Sequence, residues 1–299
     1  MQYAANAYYG ALYRRYSNLR APPEIMPSRP APKTDARYPL PLRLSGLWQA
    51  LRGQRPRKRQ RLAFVTLNRR RYKRVSFGDS AQAAAVEESF ERYGPDARFP
   101  ELVLRQENEI WVKFVAGAAV RRELASADGL ADFFAGLYAR ESRPQALGEL
   151  PLLRHLRRDL DFLAEVGLLP AARGAELATL ADRRAPAEVC IGFDYLDAVL
   201  KNFVWRADGT LCAIDIESLR HECVQGLGFA KARQHWKEPL WQAVFERLHE
   251  RGAIPFADHV DLLELCFLAR WTKTKIVTGK WRFVDAARFD AVQRRLAAA

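Results

Sequence analysis

Between Arg61 and Gly117 the apolar residues come in short alternating runs, and beyond Gly117 they recur mainly at helical spacing. RLAFVTL and YKRVSF read as two strands around a turn at Asn68 and Arg69, because β-branched and aromatic residues recur between polar ones. SAQAAAVEESFERYG has helix-forming composition, a serine start and Gly94 as its stop. FPELVLRQENEIWVKFVAG reads as a second hairpin, turning at Glu107 to Glu109. Helices follow in ADGLADFFAGLYARE, LPLLRHLRRDLDFLAEVGLL and ARGAELATLADRR. One strand pair interrupts them, KNFVWRADGTLCAIDIE, where Asp208-Gly209 suits a tight hairpin turn. EPLWQAVFERLHERG, ADHVDLLELCFLARWTKT and DAARFDAVQRRL then return to helix. The pattern predicts an α+β chain, with an extension over 1–42, a small antiparallel sheet over 43–116 and a mainly helical part over 117–299.

Composition narrows the function classes. At 299 residues, 49% hydrophobic and 28% charged, the chain can bury a large core, which excludes wholesale disorder. No stretch approaches the roughly 18 uninterrupted apolar residues that span a bilayer. The start MQYAANAYYGALYRRY lacks the apolar core of a secretory signal, so a cytoplasmic location is expected. Its tyrosines, Tyr3 to Tyr16, suit a short amphipathic helix packed on its own domain or a frayed terminus, with a membrane or partner anchor as the alternative, and Pro22, Pro23, Pro27, Pro30, Pro32, Pro39 and Pro41 make an extended linker or strap. Cys190, Cys212, Cys223 and Cys266 show no metal-ligand spacing and read as reduced, mostly buried thiols; His221 with Cys223 is only half a zinc site.

Charge changes the picture more. A net charge of +13 asks for an anionic partner: nucleic acid, an anionic lipid surface or a phosphorylated substrate. Cations crowd between Arg52 and Arg74, and Phe64, Tyr72 and Phe77 among them offer stacking faces for nucleic acid. A second basic stretch, Arg270, Lys273, Lys275, Lys280 and Arg282, ends a helix near the carboxy terminus and reads as a solvated loop, with the direction of Trp281 left open.

The chemistry concentrates in CIGFDYLDAVLKNFVWRADGTLCAIDIESL. Asp197 stands five residues before Asn202, a hairpin follows, and the apolar run LCAID ends on Asp215. Phosphoryl transfer needs a free carboxylate to orient a hydroxyl, together with an amide oxygen and a carboxylate to hold magnesium against phosphate oxygens. A hairpin between the second and third of these groups can bring all three together.

These residues resemble the protein kinase-like superfamily, whose catalytic loop runs Asp-x-x-x-x-Asn and whose metal-binding aspartate follows on the next hairpin. The Ile-Asp-x-Glu ending is similar to bacterial lipopolysaccharide-core sugar kinases and to small-molecule phosphotransferases of the aminoglycoside and choline type. The resemblance implies a two-lobed fold, with a small antiparallel-sheet amino-terminal lobe and a mainly helical carboxy-terminal lobe. It implies Asp197 as catalytic base, Lys201 to neutralise the transferring phosphate, and Asn202, Asp215 and Glu217 as metal ligands. It also implies a strand lysine held by a helix glutamate: Lys73, with Glu87, Glu88 or Glu91 as partner. Lys113 with Glu123 is the alternative register. Trp111, Val112, Lys113 and Phe114, leading to Gly117, would line the adenine pocket.

The chain departs from the family pattern in three places. Tyr195-Leu196 replaces the usual His-Gly or His-Arg, no Asp-Phe-Gly is present, and LRGQRPRKRQR, with a single Gly53, stands where a glycine-rich loop is expected. The expected function is an ATP- and Mg2+-dependent phosphotransferase acting on a hydroxyl of a small molecule or a lipopolysaccharide-type glycolipid. Its expected partners are ATP, that anionic or hydroxyl-bearing acceptor, and a peripheral contact with an anionic membrane surface. A catalytically inactive pseudokinase serving as scaffold, and a nucleic-acid-binding protein using Arg52 to Arg74, are the alternatives.

Overall fold

Two hairpins and a helix make the first part of the chain, where the alternation predicts them. The computed structural model describes residues 61–67 and 69–298. The tyrosine-rich start, the proline linker, the Gly53 segment, the cations before Arg61 and the turn residue Asn68 lie outside the described residues. β1 (Arg61–Leu67) and β2 (Arg70–Ser76) pair antiparallel, with Phe64 opposite Lys73, and Arg69 in the turn has φ 61°. α1 (Ser80–Tyr93) is capped by Asp79, whose carboxylate accepts the Gln82 amide at 2.8 Å, and it ends at Gly94 with φ 79°. β3 (Leu102–Gln106) and β4 (Glu109–Lys113) complete a four-stranded sheet of order β1-β2-β4-β3.

The chain falls into two compact units. The first comprises residues 61–145 and Glu188–Asp258. Besides the first sheet it holds β5 (Ala118–Ala119), α2 (Ala127–Tyr138) and β6 (Ser142–Ala146, whose last residue opens the second unit). The second begins with α3 (Leu152–Glu165) and α4 (Ala171–Arg183). The first unit resumes with β7 (Glu188–Tyr195), β8 (Phe203–Trp205), β9 (Leu211–Ala213), β10 (Leu219–Val224), α5 (Leu227–Arg233) and α6 (Glu238–Glu250). α7 (Val260–Val277) and α8 (Ala287–Ala298) close the second.

The sheet of order β10-β7-β6 and the short helix α5 are absent from the sequence reading, and the sequence carries the reason. Val189, Ile191, Phe193 and Tyr195 in β7 are buried, and Gly192 and Asp194 between them are buried too, so no polar alternation marks the strand. In β10 the register shifts between Arg220 and Cys223, with Glu222 at φ 50°, and the period of two is lost.

The core of the first unit is aromatic. Phe133 on α2 meets Phe203 at 5.1 Å and Tyr195 at 5.6 Å, edge on, and these rings are almost fully buried. They fix β7 and β8, the strands on either side of the Asp197 loop. A Cβ on Gly117 would lie 2.4 Å from the Trp205 carbonyl oxygen, so glycine lets β5 approach β8.

In the second unit the buried Asp159 on α3 takes Arg270 Nε at 2.8 Å and Lys273 Nζ at 3.0 Å from α7. Burial and the cations around it push the His155 imidazole down to about 4. No helix among the described residues is long and apolar enough to cross a membrane.

Candidate phosphoryl-transfer site

The residues from Tyr195 to Ser218 form one hydrogen-bonded cluster. After β7 the chain turns through Asp197, whose carbonyl accepts the Val199 amide at 2.8 Å. Asn202 then reaches back: its Nδ2 donates to the Asp197 carbonyl at 2.8 Å, to Asp197 Oδ2 at 3.1 Å and, at the long distance of 3.4 Å, to Asp215 Oδ2. One amide therefore ties the loop closed and faces both carboxylates. The Ile214 amide donates to the Asn202 carbonyl at 2.8 Å, and Ser218 Oγ donates to Asp215 Oδ2 at 2.9 Å.

Tyr195 supplies a link that the sequence suggested was lost. Its ring is buried in the aromatic core, and its hydroxyl accepts the Asp215 amide at 3.2 Å. The end of β7 is thereby fastened to the backbone of the Asp215 loop. Burial raises the phenol well above its ordinary value, so this hydroxyl stays neutral.

Lys73 enters from β2. Its Nζ donates to the Ile214 carbonyl at 2.8 Å and stands 3.8 Å from Asp215 Oδ1. The structure does not bring the α1 glutamates to it. Glu87 pairs with Arg105, and Glu88 is largely exposed, with His221 Nε2 at 3.6 Å. Glu91 is exposed as well. Ser89 occupies the buried face of that helix turn and bonds His221 Nδ1 at 2.9 Å. The carboxylate nearest Lys73 is thus Asp215, and Glu217, half-buried two residues on, stands beside it. Burial and the neighbouring Asp215 carboxylate push Glu217 up to about 7. Its Oε2 is buried and has no hydrogen-bond partner.

Strand alternation divides the four residues expected at the adenine pocket. In the β2–β4 register Lys73 lies opposite Val112 and Arg74 opposite Trp111. Val112 and Phe114 thus share the Lys73 face, whereas Trp111 and Lys113 point to the other. There Arg74 lies 5.5 Å over the Trp111 ring, and Lys113 pairs with Glu101 rather than with Glu123. On the Lys73 face Phe114 meets Phe64 edge on at 5.6 Å, with the Arg71 guanidinium 4.2 Å from its ring centre.

Lys201, expected to neutralise the transferring phosphate, is exposed on the loop. The lysine bonded to the Asp197 carboxylate is Lys231 on α5, which the sequence reading passed over. Asp194 sets that helix in place: fully buried, it accepts the Tyr195 amide at 2.8 Å and the Gly228 amide, at the start of α5, at 2.9 Å. Burial pushes its carboxyl up to about 7.

No protein-family model matches the chain, and no curated protein matches it in sequence. Solved structures do. Choline kinase LicA from Streptococcus pneumoniae is similar at TM-score 0.58 and 13% identity, over 82% of this chain and 91% of that one. A thermostable mutant of an aminoglycoside phosphotransferase is similar at TM-score 0.53 and 12% identity, over 80% and 89%. LicA in complex with AMP is similar at TM-score 0.51 and 10% identity, over 84% and 96%. The chain has the protein kinase-like fold.

Within that fold the departures have local explanations. Tyr195, where the resemblance led us to expect histidine, bonds the Asp215 loop. Lys73 is anchored by the Ile214 carbonyl and by Asp215 instead of by a glutamate of α1. No motif announces Lys231, which lies far along the chain from Asp197 and meets it only because α5 packs on β7. His221, considered with Cys223 for zinc, bonds Ser89, while the Cys223 thiol donates to the Gly192 carbonyl at 3.5 Å. Among the described residues no group of three or more histidine, cysteine or acidic side chains is placed to hold a metal ion unaided.

Proposed function

We propose that the chain is an ATP- and Mg2+-dependent phosphotransferase acting on a hydroxyl group of a small molecule or of a lipopolysaccharide-type glycolipid. The observation that carries the reading is the meeting of Asp197, Asn202, Asp215 and Lys73 in one cluster, in a chain of kinase-like fold. A nucleotide would rest against the Lys73 face of the first sheet, with Val112 and Phe114 toward its base and Lys73 toward its α- and β-phosphates. That a structural neighbour forms a complex with AMP supports nucleotide binding by this fold.

Magnesium fits the donors in the metal loop. Asp215 and the Asn202 amide oxygen are hard oxygen ligands of the kind this ion takes, and its remaining positions go to water and phosphate. Glu217 adds a buried carboxylate oxygen without a partner beside Asp215, a pairing of like charges that a divalent cation relieves. When bound, the ion supplies charge neutralisation at the phosphate oxygens. The chain's own work is then positional. Asp197 accepts the proton of the acceptor hydroxyl as its oxygen bonds the γ-phosphorus and the bond to ADP breaks. Asn202 holds Asp197 and the metal loop in register, and Tyr195 fixes that loop from beneath.

A second reading, nucleotide binding without turnover, draws on the absence of a helix glutamate at Lys73, which leaves its ammonium on Asp215 rather than poised for phosphates. Calorimetry with ATP and magnesium on the wild type and on Asp215→Ala tests the nucleotide site that both readings share, and transfer of label from γ-labelled ATP separates the two. Magnesium-dependent binding lost in the variant supports the site. No binding to either protein sinks the proposal.

A further inference from the structure

We infer that Lys231 reads the charge of the acceptor at the catalytic base, and that the acceptor is a hydroxyl compound carrying an anionic group, phosphate or carboxylate, close to the hydroxyl that is phosphorylated. This rests on the phosphotransferase reading and names its acceptor class.

The ammonium of Lys231 is bonded to Asp197 Oδ1. The Lys231 side chain is 17% exposed and that of Asp197 32%, so the pair is partly desolvated while the carboxylate stays open to an incoming group. This is a built contact. Gly228, three residues before Lys231, bonds Asp194, and a Cβ there would lie 2.0 Å from the Tyr195 carbonyl oxygen, so only glycine lets α5 sit this close to β7. Past the helix, Trp236 Nε1 donates to the carbonyl of Ala198, the residue after Asp197, at 2.8 Å. Both ends of α5 are therefore fastened to the strand and loop that carry the base.

The consequence is chemical. An acceptor must place its hydroxyl against a carboxylate that already holds an ammonium. An anionic group beside the hydroxyl can take one of the three ammonium donors, which orients the acceptor and draws Lys231 from Asp197 as the proton arrives. A cationic acceptor, of the kind named for the choline kinase and the aminoglycoside phosphotransferase of the same fold, would bring a second positive charge against Lys231. In the transfer itself the acceptor oxygen gains phosphorus, its proton passes to Asp197 and ADP leaves.

Three matched soluble probes test this: glucose 1-phosphate, glucose and glucosamine, with vesicles carrying a phosphorylated glycolipid as a fourth. Each is offered with γ-labelled ATP, and binding to protein saturated with a non-hydrolysable ATP analogue is followed by calorimetry. The wild type is expected to favour the phosphorylated sugar, the vesicle-borne glycolipid or both at least tenfold over glucose and glucosamine; turnover of the vesicle form alone assigns the anion to a lipid headgroup. Lys231→Met should abolish that preference through KM and binding while MgATP affinity stays within twofold, Lys231→Arg should restore it, and Lys231→Glu should shift it toward glucosamine. Equal use of glucosamine by the wild type, or an unchanged preference in Lys231→Met, overturns the inference. A wild type that binds no MgATP would instead remove the phosphotransferase reading beneath it.

Discussion

Replacing Asp194 by alanine probes the support under the Asp197 loop and α5. The wild-type carboxylate is fully buried and accepts two backbone amides, Tyr195 at 2.8 Å and Gly228 at 2.9 Å, with the Tyr138 hydroxyl at the longer distance of 3.4 Å. Alanine leaves these donors buried and unpaired, at about 1–3 kcal/mol each for the two short bonds. Against that stands the cost of burying the carboxylate, which pushes its pKa from 3.8 to about 7, on the order of 4 kcal/mol for the ionised form and less where the group is partly protonated. The two terms nearly offset at pH 7, so Asp194→Ala should change stability there by no more than about 2 kcal/mol, whereas at pH 4, where the carboxyl is protonated and the charge cost falls below about 1 kcal/mol, it should lose about 1–5 kcal/mol and Asp194→Asn, which keeps one acceptor oxygen, about 1–2 kcal/mol. The sign of the pH dependence follows from the same shift. Because the folded-state pKa lies above the unfolded one, the folded protein takes up a proton as pH falls from 7 toward 4, so this group adds stability on acidification. Urea unfolding at pH 4 and pH 7 should show that slope reduced in both variants. Stability of Asp194→Ala at pH 4 within about 0.5 kcal/mol of wild type, which is the range of an ordinary surface change, would refute the reasoning.

Three further outcomes are expected. Gly228→Ala should cost about 2–4 kcal/mol in thermal unfolding, because its methyl group would meet the Tyr195 carbonyl at 2.0 Å and backbone must move; wild-type stability would show that α5 is not seated as described. Glu217→Gln should flatten the stability profile between about pH 4.5 and 7, where protonation of the raised carboxyl stabilises the folded state by up to about 3 kcal/mol and that support is lost as pH rises; an unchanged profile by chemical denaturation would contradict the burial of this group. Tyr195→Phe removes the acceptor of the Asp215 amide at about 1 kcal/mol of stability and should lower kcat more than the affinity for MgATP; equal kinetics would mean the tether is idle.

Much of the fold was legible because its signals are local. Gly94, Asp208-Gly209 and the alternation in RLAFVTL mark their elements from within a few residues. β7 was not, since a strand buried on both faces reads like any apolar run, and β10 was not, since its bulge breaks the period. The site divides the same way. Asp197, Asn202 and Asp215 stand at a spacing that chemistry requires, and the structure brings them together. The partners that tune them come from tertiary packing. Lys231, Ser89 and the face on which Trp111 falls depend on which helix or strand packs where, and neighbouring residue types do not encode that. Tyr195 was visible as a departure, but that its hydroxyl would accept the Asp215 amide required the position of β9 and the loop behind it.

The central claim is that Asp197 serves phosphoryl transfer at the nucleotide site formed around Asp215. It is tested most directly by following the label of γ-labelled ATP in wild type and Asp197→Asn, with magnesium and the acceptor probes named above, alongside MgATP affinity. The account predicts transfer to a hydroxyl by the wild type, a loss of at least a hundredfold in the variant, and affinities for MgATP that agree within a few fold. Transfer undiminished in Asp197→Asn would contradict it.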